Sequence, residues 1–344
     1  MFKTMNQIAE VKQDKLPRLA FLGVGWIGKN RLQALENSGL SENIGIYDPK
    51  EETIAQAVQE IPSVNVYSSY DELLEQDVDG IVIATPSALH ANQAIKALEA
   101  GKAVFCQKPL GRNHKETTDV VRAAQRANRL LGVDYSYRHT QGIKALKHFL
   151  EEGSLGKIYK VEAVFHNAYG PDKDWFYDPH LSGGGCLMDL GSHLIDLILY
   201  MFNAPSLEVR YANILSAGKP IVNREEQVED YAEAHIVSST GVNIRMACSW
   251  KMSIGKDADI QFKVYGTNGG LHFHNLNGSF YDFQTDVYRQ NSSEILITPP
   301  DDWGGRAIQE WAKQLSKDNS FRSANQELIK SASLLEDIYH FNRG

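Results

Sequence analysis

Asp189 and His193 stand four residues apart in the run Asp189-Leu190-Gly191-Ser192-His193. On a helix that spacing puts a carboxylate and an imidazole on one face. Such a pair can hold a hydroxyl group and take its proton, since an imidazole with its ordinary pKa of about 6.5 suits proton transfer at neutral pH. Gly191 between them, and Gly183, Gly184 and Gly185 before them, remove bulk so that a ligand or a backbone can come close. Spacing alone also admits a plainer reading, with Asp189 as a helix cap and His193 as a satisfied core group. A third group, Lys108 in Cys106-Gln107-Lys108-Pro109, follows a short apolar run. A fixed cation there can stabilise charge that develops on an oxygen.

Gly23-Val24-Gly25-Trp26-Ile27-Gly28 follows the apolar run Arg18 to Leu22 directly and opens a helical segment. That is the setting in which a G-x-G-x-x-G motif binds a dinucleotide. Gly23 allows the tight turn, Gly25 the approach of a pyrophosphate, and Gly28 the close packing of helix on strand. Free N–H groups at the start of the helix then hold the phosphates. Asp48 ends the second strand, where a carboxylate accepts hydrogen bonds from the adenosine ribose; an Asp-Pro turn is the alternative. At ~4 Å it would repel a 2′-phosphate by roughly 4 kcal/mol, so NAD is expected over NADP, with Lys50 as a counterweight. Ala84-Thr85-Pro86-Ser87 and Gln107-Lys108 follow two further strands and complete the crevice at the strand ends.

These groups need a scaffold, and the first half of the chain supplies one. Apolar runs at Arg18–Leu22, Ile44–Tyr47, Val64–Tyr67, Gly80–Ala84, Ala103–Cys106 and Leu131–Tyr135 alternate with helical segments. The pattern predicts an α/β fold with a doubly wound parallel sheet, a Rossmann domain. After Arg138 the alternation stops. A helix over 142–152, another over about 189–202, and several strand-like runs between 157 and 274 suggest an α+β domain with a mostly antiparallel sheet. Helices over about 305–315 and 325–340 close the chain.

Composition narrows the partners. The 344 residues are 42% hydrophobic, ample for two cores, and the net charge of −8 argues against nucleic acid or an anionic membrane. Cys106, Cys186 and Cys248 lack paired spacing, so neither disulfides nor a metal site is expected. Met1–Leu16 is polar, without the apolar core of a signal peptide. No apolar run reaches the ~20 residues of a spanning helix. The expectation is a soluble, cytoplasmic protein with an extension over 1–16, a Rossmann domain over 17–138 and an α+β domain over 139–344.

Taken together, four segments resemble the Gfo/Idh/MocA family of glucose–fructose oxidoreductases, inositol dehydrogenases and rhizopine-catabolism proteins. They are the glycine loop 23–28, Ala84-Thr85-Pro86-Ser87-Ala88-Leu89-His90, the segment Gly101 to Leu110, and the segment Gly183 to His193. The likeness runs from about Pro17 to the C-terminus. It implies a Rossmann domain joined to an open-faced sheet, often dimeric or tetrameric through that sheet. It also implies NAD(P)-linked oxidation or reduction of a sugar, cyclitol or related polyol. Trp26, Ile27, Ala84, Thr85, Pro86, Ser87, His90 and Gln107 would then help hold the cofactor. Lys108 matches a lysine that contacts nicotinamide ribose and substrate, and Asp189 and His193 match the substrate-binding, proton-transferring pair. Ser136, Tyr137 and Trp175 match positions that touch substrate, and Tyr177, His180 and Lys256 add polarity suited to a hydroxylated ring. Gln107 replaces the family's usual glutamate, which removes a carboxylate that would hold Lys108 charged. Two other readings are a non-catalytic NAD-sensing regulator and an NAD-dependent glycosidase that oxidises transiently. The complete Lys108–Asp189–His193 set opposes the first, and the want of an export signal opposes the second.

Overall fold

The computed structural model describes residues 15–202 and 206–341, so the expected extension lies almost wholly outside the described residues. Strands β1 (Arg18–Leu22), β2 (Glu42–Tyr47), β3 (Asn65–Val66), β4 (Gly80–Ile83), β5 (Ala103–Cys106) and β6 (Leu131–Val133) form a parallel sheet in the order β3-β2-β1-β4-β5-β6. Helices α1 (Trp26–Ser38), α2 (Glu51–Glu60), α3 (Tyr70–Leu74), α4 (Ser87–Glu99) and α5 (His114–Ala127) connect them. The central strands are unbroken apolar runs because both faces are covered. Leu19, Phe21, Val82 and Phe105 face one layer, and Ala20, Leu22, Ile81 and Ile83 the other. Strand order reverses between β1 and β4, and their carboxyl ends leave the crevice where ligands of such sheets bind.

The second half comprises α6 (Gln141–Glu151), β7 (Ile158–Asn167), α7 (Pro179–Ser182), α8 (Ser192–Phe202), β8 (Leu207–Ser216), β9 (Lys219–Pro220), β10 (Tyr231–Ser238) and β11 (Asn243–Ser249). It continues through β12 (Ala258–Gly266), β13 (Gly269–Asn275), β14 (Phe283–Arg289), β15 (Ser292–Ile297), α9 (Arg306–Lys317) and α10 (Gln326–His340). Its nine strands run in the order β15-β14-β13-β12-β7-β11-β10-β8-β9. Only the β7–β11 pair is parallel. Alternation decides the faces: Val161, Ala163, Phe165, Ile260, Phe262 and Val264 join the core, while Glu162, Asp259, Gln261 and Lys263 point away from it. β14 and β15 extend this sheet beyond the strands that the sequence predicts.

The helical run Pro179–Phe202 does reach the length and hydropathy, 1.3, of a membrane span, contrary to the sequence expectation. Its most apolar window is 78% buried inside the fold, which marks it as a core helix. The tail also departs from the expected division at residue 138. Ile308, Trp311 and Leu315 of α9 pack on Leu19, Phe21 and Phe105 of the first sheet. A Cβ on Gly80 or Gly132 would come within 2.7 or 2.6 Å of the Trp311 ring, so glycine at both positions admits that helix. All three cysteines are free and buried, as expected, with Cys186 and Cys248 Sγ 4.0 Å apart.

Candidate active site

A cleft of 1570 Å³ runs from the glycine loop across the strand ends to the second domain. Gly23 adopts φ +86°, and any Cβ there would meet Ala84 O at 2.7 Å. A Cβ on Gly28 would lie 2.2 Å from Gly23 O, so this glycine seats α1 on the loop and does not line the cleft. At Gly25 a Cβ would meet nothing within 4 Å. The backbone there faces open space, and no side chain caps the start of α1. Unsatisfied N–H groups with the helix's positive end fit a pyrophosphate. Asp48 lines the same cleft and accepts N–H bonds from Val24 (3.0 Å) and Lys50 (2.9 Å), which fixes its carboxylate beside the loop. Trp26, Ile27, Ala84, Thr85, Pro86 and Ser87 complete this end. The residues present fit a dinucleotide.

Lys108 reaches across from the β5 end to the second domain. Its Nζ donates to Asp189 Oδ1 at 2.6 Å and to Asp189 O at 2.8 Å. Trp250 Nε1 donates to the other carboxylate oxygen at 3.1 Å. Residues Leu187–Gly191 form a single π-helical turn that passes directly into α8. Asp189 and His193 therefore share the cleft without the regular helical spacing that the sequence suggests; such wide turns recur at functional sites. His193 is hemmed by the rings of Tyr137 (5.0 Å), Tyr135 (6.2 Å) and Phe165 (6.3 Å). Its Nδ1 is buried without a hydrogen-bond partner among the described residues. Burial, and then the Lys108 charge, hold its pKa well below 6.5, a correction to the ordinary value assumed from sequence.

The turn that carries Asp189 has its own support. Glu229 is buried, and its Oε1 accepts from Gly185 N–H (2.8 Å), Leu187 N–H (2.9 Å) and Tyr339 O–H (2.8 Å). Gly185 is required because a Cβ would fall 1.9 Å from Glu229 O; the close approach expected at the triple glycine is thus made by a backbone. Glu229→Ala would leave three buried donors unmatched and should cost on the order of 3 kcal/mol in urea unfolding. Glu229→Gln keeps an acceptor oxygen and should recover most of that. Equal losses in both variants would show that the acceptor is not what matters.

Gln107 turns out to have a carboxylate beside it. Its Nε2 donates to Asp134 Oδ2 at 2.5 Å, which also accepts from Arg31 Nε at 2.5 Å. Ser136 Oγ donates to the second oxygen, Asp134 Oδ1, at 3.1 Å. Lys108 has its carboxylate partner in Asp189, and Gln107 and Ser136 are held in one buried network around Asp134. His90, expected among the cofactor residues, is buried at the wall of the cleft. Its two ring nitrogens lie 2.7 Å from Pro109 O and Thr85 O, so it braces the loops after β4 and β5.

Tyr137 and Trp175 line the cleft as expected, Tyr137 packed on Trp303 at 5.1 Å and Trp175 stacked on Phe176 at 3.8 Å. Tyr177, His180 and Lys256 do not line it: Tyr177 donates to Pro171 O at 3.0 Å and Lys256 pairs with Asp259 at 2.9 Å. Sequence reasoning missed Arg31, Asp134, Glu229, Trp250 and Trp303. No local signal marks them, because each meets its partner across many tens of residues.

Residues 17–135 match the sequence model of the oxidoreductase family with an NAD-binding Rossmann fold. Residues 143–272 match that of the GFO/IDH/MocA C-terminal domain. The chain is 26% identical over 316 residues to glucose-6-phosphate 3-dehydrogenase of Bacillus subtilis (strain 168), covering 90% of this chain and 86% of that one. A 3-ketoreductase from Actinomadura kijaniata, solved with NADP and TDP-benzene, superposes with a TM-score of 0.80 at 22% identity over 94% of this chain and 97% of that one. Levoglucosan dehydrogenase, solved with NADH and levoglucosan, gives 0.80 at 21% identity over 94% and 96%.

Proposed function

The chain belongs to the Gfo/Idh/MocA family of oxidoreductases, and on that premise we propose that it moves a hydride between NAD and a secondary alcohol or ketone carbon of a sugar, cyclitol or related polyol. The observation that carries the reading is the Lys108 ammonium, fixed on Asp189 in the same cleft as His193 and the uncapped start of α1. The relatives act on sugars, as their names state.

The nicotinamide, when bound, supplies the hydride acceptor or donor. The chain's own groups do the rest. An ammonium carries three N–H donors, and Lys108 places two of them on Asp189. The third is free to donate to the reacting oxygen and to stabilise the alkoxide charge that grows there. His193 takes the hydroxyl proton on oxidation and returns it on reduction. Asp189 fixes Lys108 and offers its remaining lone pairs to neighbouring hydroxyl groups. Tyr137, Trp175 and Trp303 present apolar faces beside these groups, suited to the C–H face of a sugar ring.

Asp48 supports NAD over NADP through repulsion of a 2′-phosphate. The test is a screen of sugars, cyclitols and sugar acids with NAD⁺ and NADP⁺ side by side, followed by reduced-nicotinamide absorbance. At least one polyol should be oxidised, with kcat/KM roughly tenfold or more higher for NAD⁺. Tight dinucleotide binding with no turnover on any member would remove the catalytic reading.

A further inference from the structure

On the outer face of the second sheet, β13 presents two imidazoles from alternate positions, His272 and His274. In register, Asp286 of β14 stands opposite His272. His274 Nε2 lies 2.9 Å from Asp286 Oδ2, and one ligand-capable atom from each of the three residues falls within 4.8 Å of the others. The two imidazole rings stack at 4.3 Å. None of the three residues lines the cleft described above.

The surroundings orient each group toward the same point. Tyr288 O–H and His272 Nδ1 share a hydrogen bond of 2.8 Å, which fixes the ring and leaves Nε2 as the remaining nitrogen. That Nε2 is buried and has no hydrogen-bond partner among the described residues. A buried, unmatched nitrogen of this kind calls for an explanation, an ion among them. Gln284 Nε2 donates to Asp286 Oδ1 at 2.8 Å, so that Oδ2 is the oxygen turned to the histidines. A metal-bound imidazole ordinarily has its second nitrogen held by an outer group, as Tyr288 holds His272.

We propose that His272, His274 and Asp286 bind a divalent transition cation of the zinc type on this face. Two nitrogens and one carboxylate oxygen are a zinc donor set; with bonds of about 2.0–2.1 Å, tetrahedral ligands lie ~3.3 Å apart, which small side-chain rotations reach here. Three protein ligands leave a fourth position for solvent. The expectation of no metal rested on the unpaired cysteines; His-x-His followed by an aspartate on the next strand has no recognised spacing until the strands pair.

Chelator-treated full-length protein, dialysed against Zn²⁺ and analysed for bound metal, should hold one ion per chain that His272→Ala and His274→Ala each remove. Asp286→Asn should weaken uptake, and Tyr288→Phe, which keeps all three ligands, should weaken it by roughly 10- to 100-fold. Co²⁺ should give visible d–d bands in the native protein that are lost in His272→Ala, while turnover on a sugar substrate is unchanged. Circular dichroism establishes that each variant is folded; Tyr288→Phe and the Co²⁺ spectrum of native protein decide the matter should the histidine variants unfold. No Zn²⁺ uptake by native protein, or uptake and Co²⁺ bands indifferent to these substitutions, would overturn the site.

Discussion

Lys108→Met should lower kcat by roughly 10²- to 10³-fold, the loss typical of removing one preorganised donor from a growing oxyanion. The ammonium joins the two halves of the site, with Asp189 O and Oδ1 at 2.8 and 2.6 Å. Methionine keeps the length of the side chain and removes both charge and donors. Among the described residues, the Asp189 carboxylate would then retain only the Trp250 N–H at 3.1 Å. Arginine should not restore the rate, because a planar fork cannot reproduce an ammonium with two donors on Asp189 and the third on the reacting oxygen. NADH binding, read by fluorescence quenching, should change by only a few fold, since the glycine loop is untouched. Turnover within about tenfold of the native rate would remove Lys108 from the chemistry.

His193→Ala should lower kcat for oxidation by ~10²- to 10⁴-fold. The native pH profile gives a second readout. Burial and the Lys108 charge keep the pKa of His193 well below 6.5, and a base works above its pKa. In the oxidative direction kcat/KM should therefore run level from neutral pH down past about 6.5 and fall only below it. His193→Ala should abolish that acid limb along with the rate. His193→Asn, a closer match in size, separates loss of the proton acceptor from a packing defect among Tyr135, Tyr137 and Phe165. An acid limb that persists unchanged in both variants would assign the titration to another group.

Much of this site is legible in the sequence, and the remainder has a physical reason for being hidden. The strands of the first sheet are buried on both faces, so Gly80–Ile83 and Ala103–Cys106 announce themselves as apolar runs, and the glycine loop stands beside its strand. Phe283–Arg289 is harder to see because polar Thr285 stands among its buried residues, and Ser292–Ile297 because it lies at the sheet's edge with none of its residues buried. Asp189, His193 and Lys108 are visible through their local runs. Trp250, which steadies Asp189, and Glu229, which carries the turn beneath it, gain meaning only when β10 and β11 dock beneath that turn. Gln107 is the instructive departure: read along the chain it is a lost carboxylate, whereas in space Asp134 lies 2.5 Å away and Asp189 serves Lys108.

The packing of α9 has a bearing on how the polypeptide can be divided. A fragment ending near residue 138 would contain every strand of the nucleotide fold and every glycine of its loop. It would still lack the indole of Trp311 against Phe105 and the side chains of Ile308 and Leu315 above Leu19 and Phe21. Each such side chain carries roughly 1.5–3 kcal/mol of burial, a sum that rivals the whole stability of an ordinary domain. The nucleotide half is therefore assembled from segments far apart in this sequence, and it is sealed only once residues 306–317 have been synthesised.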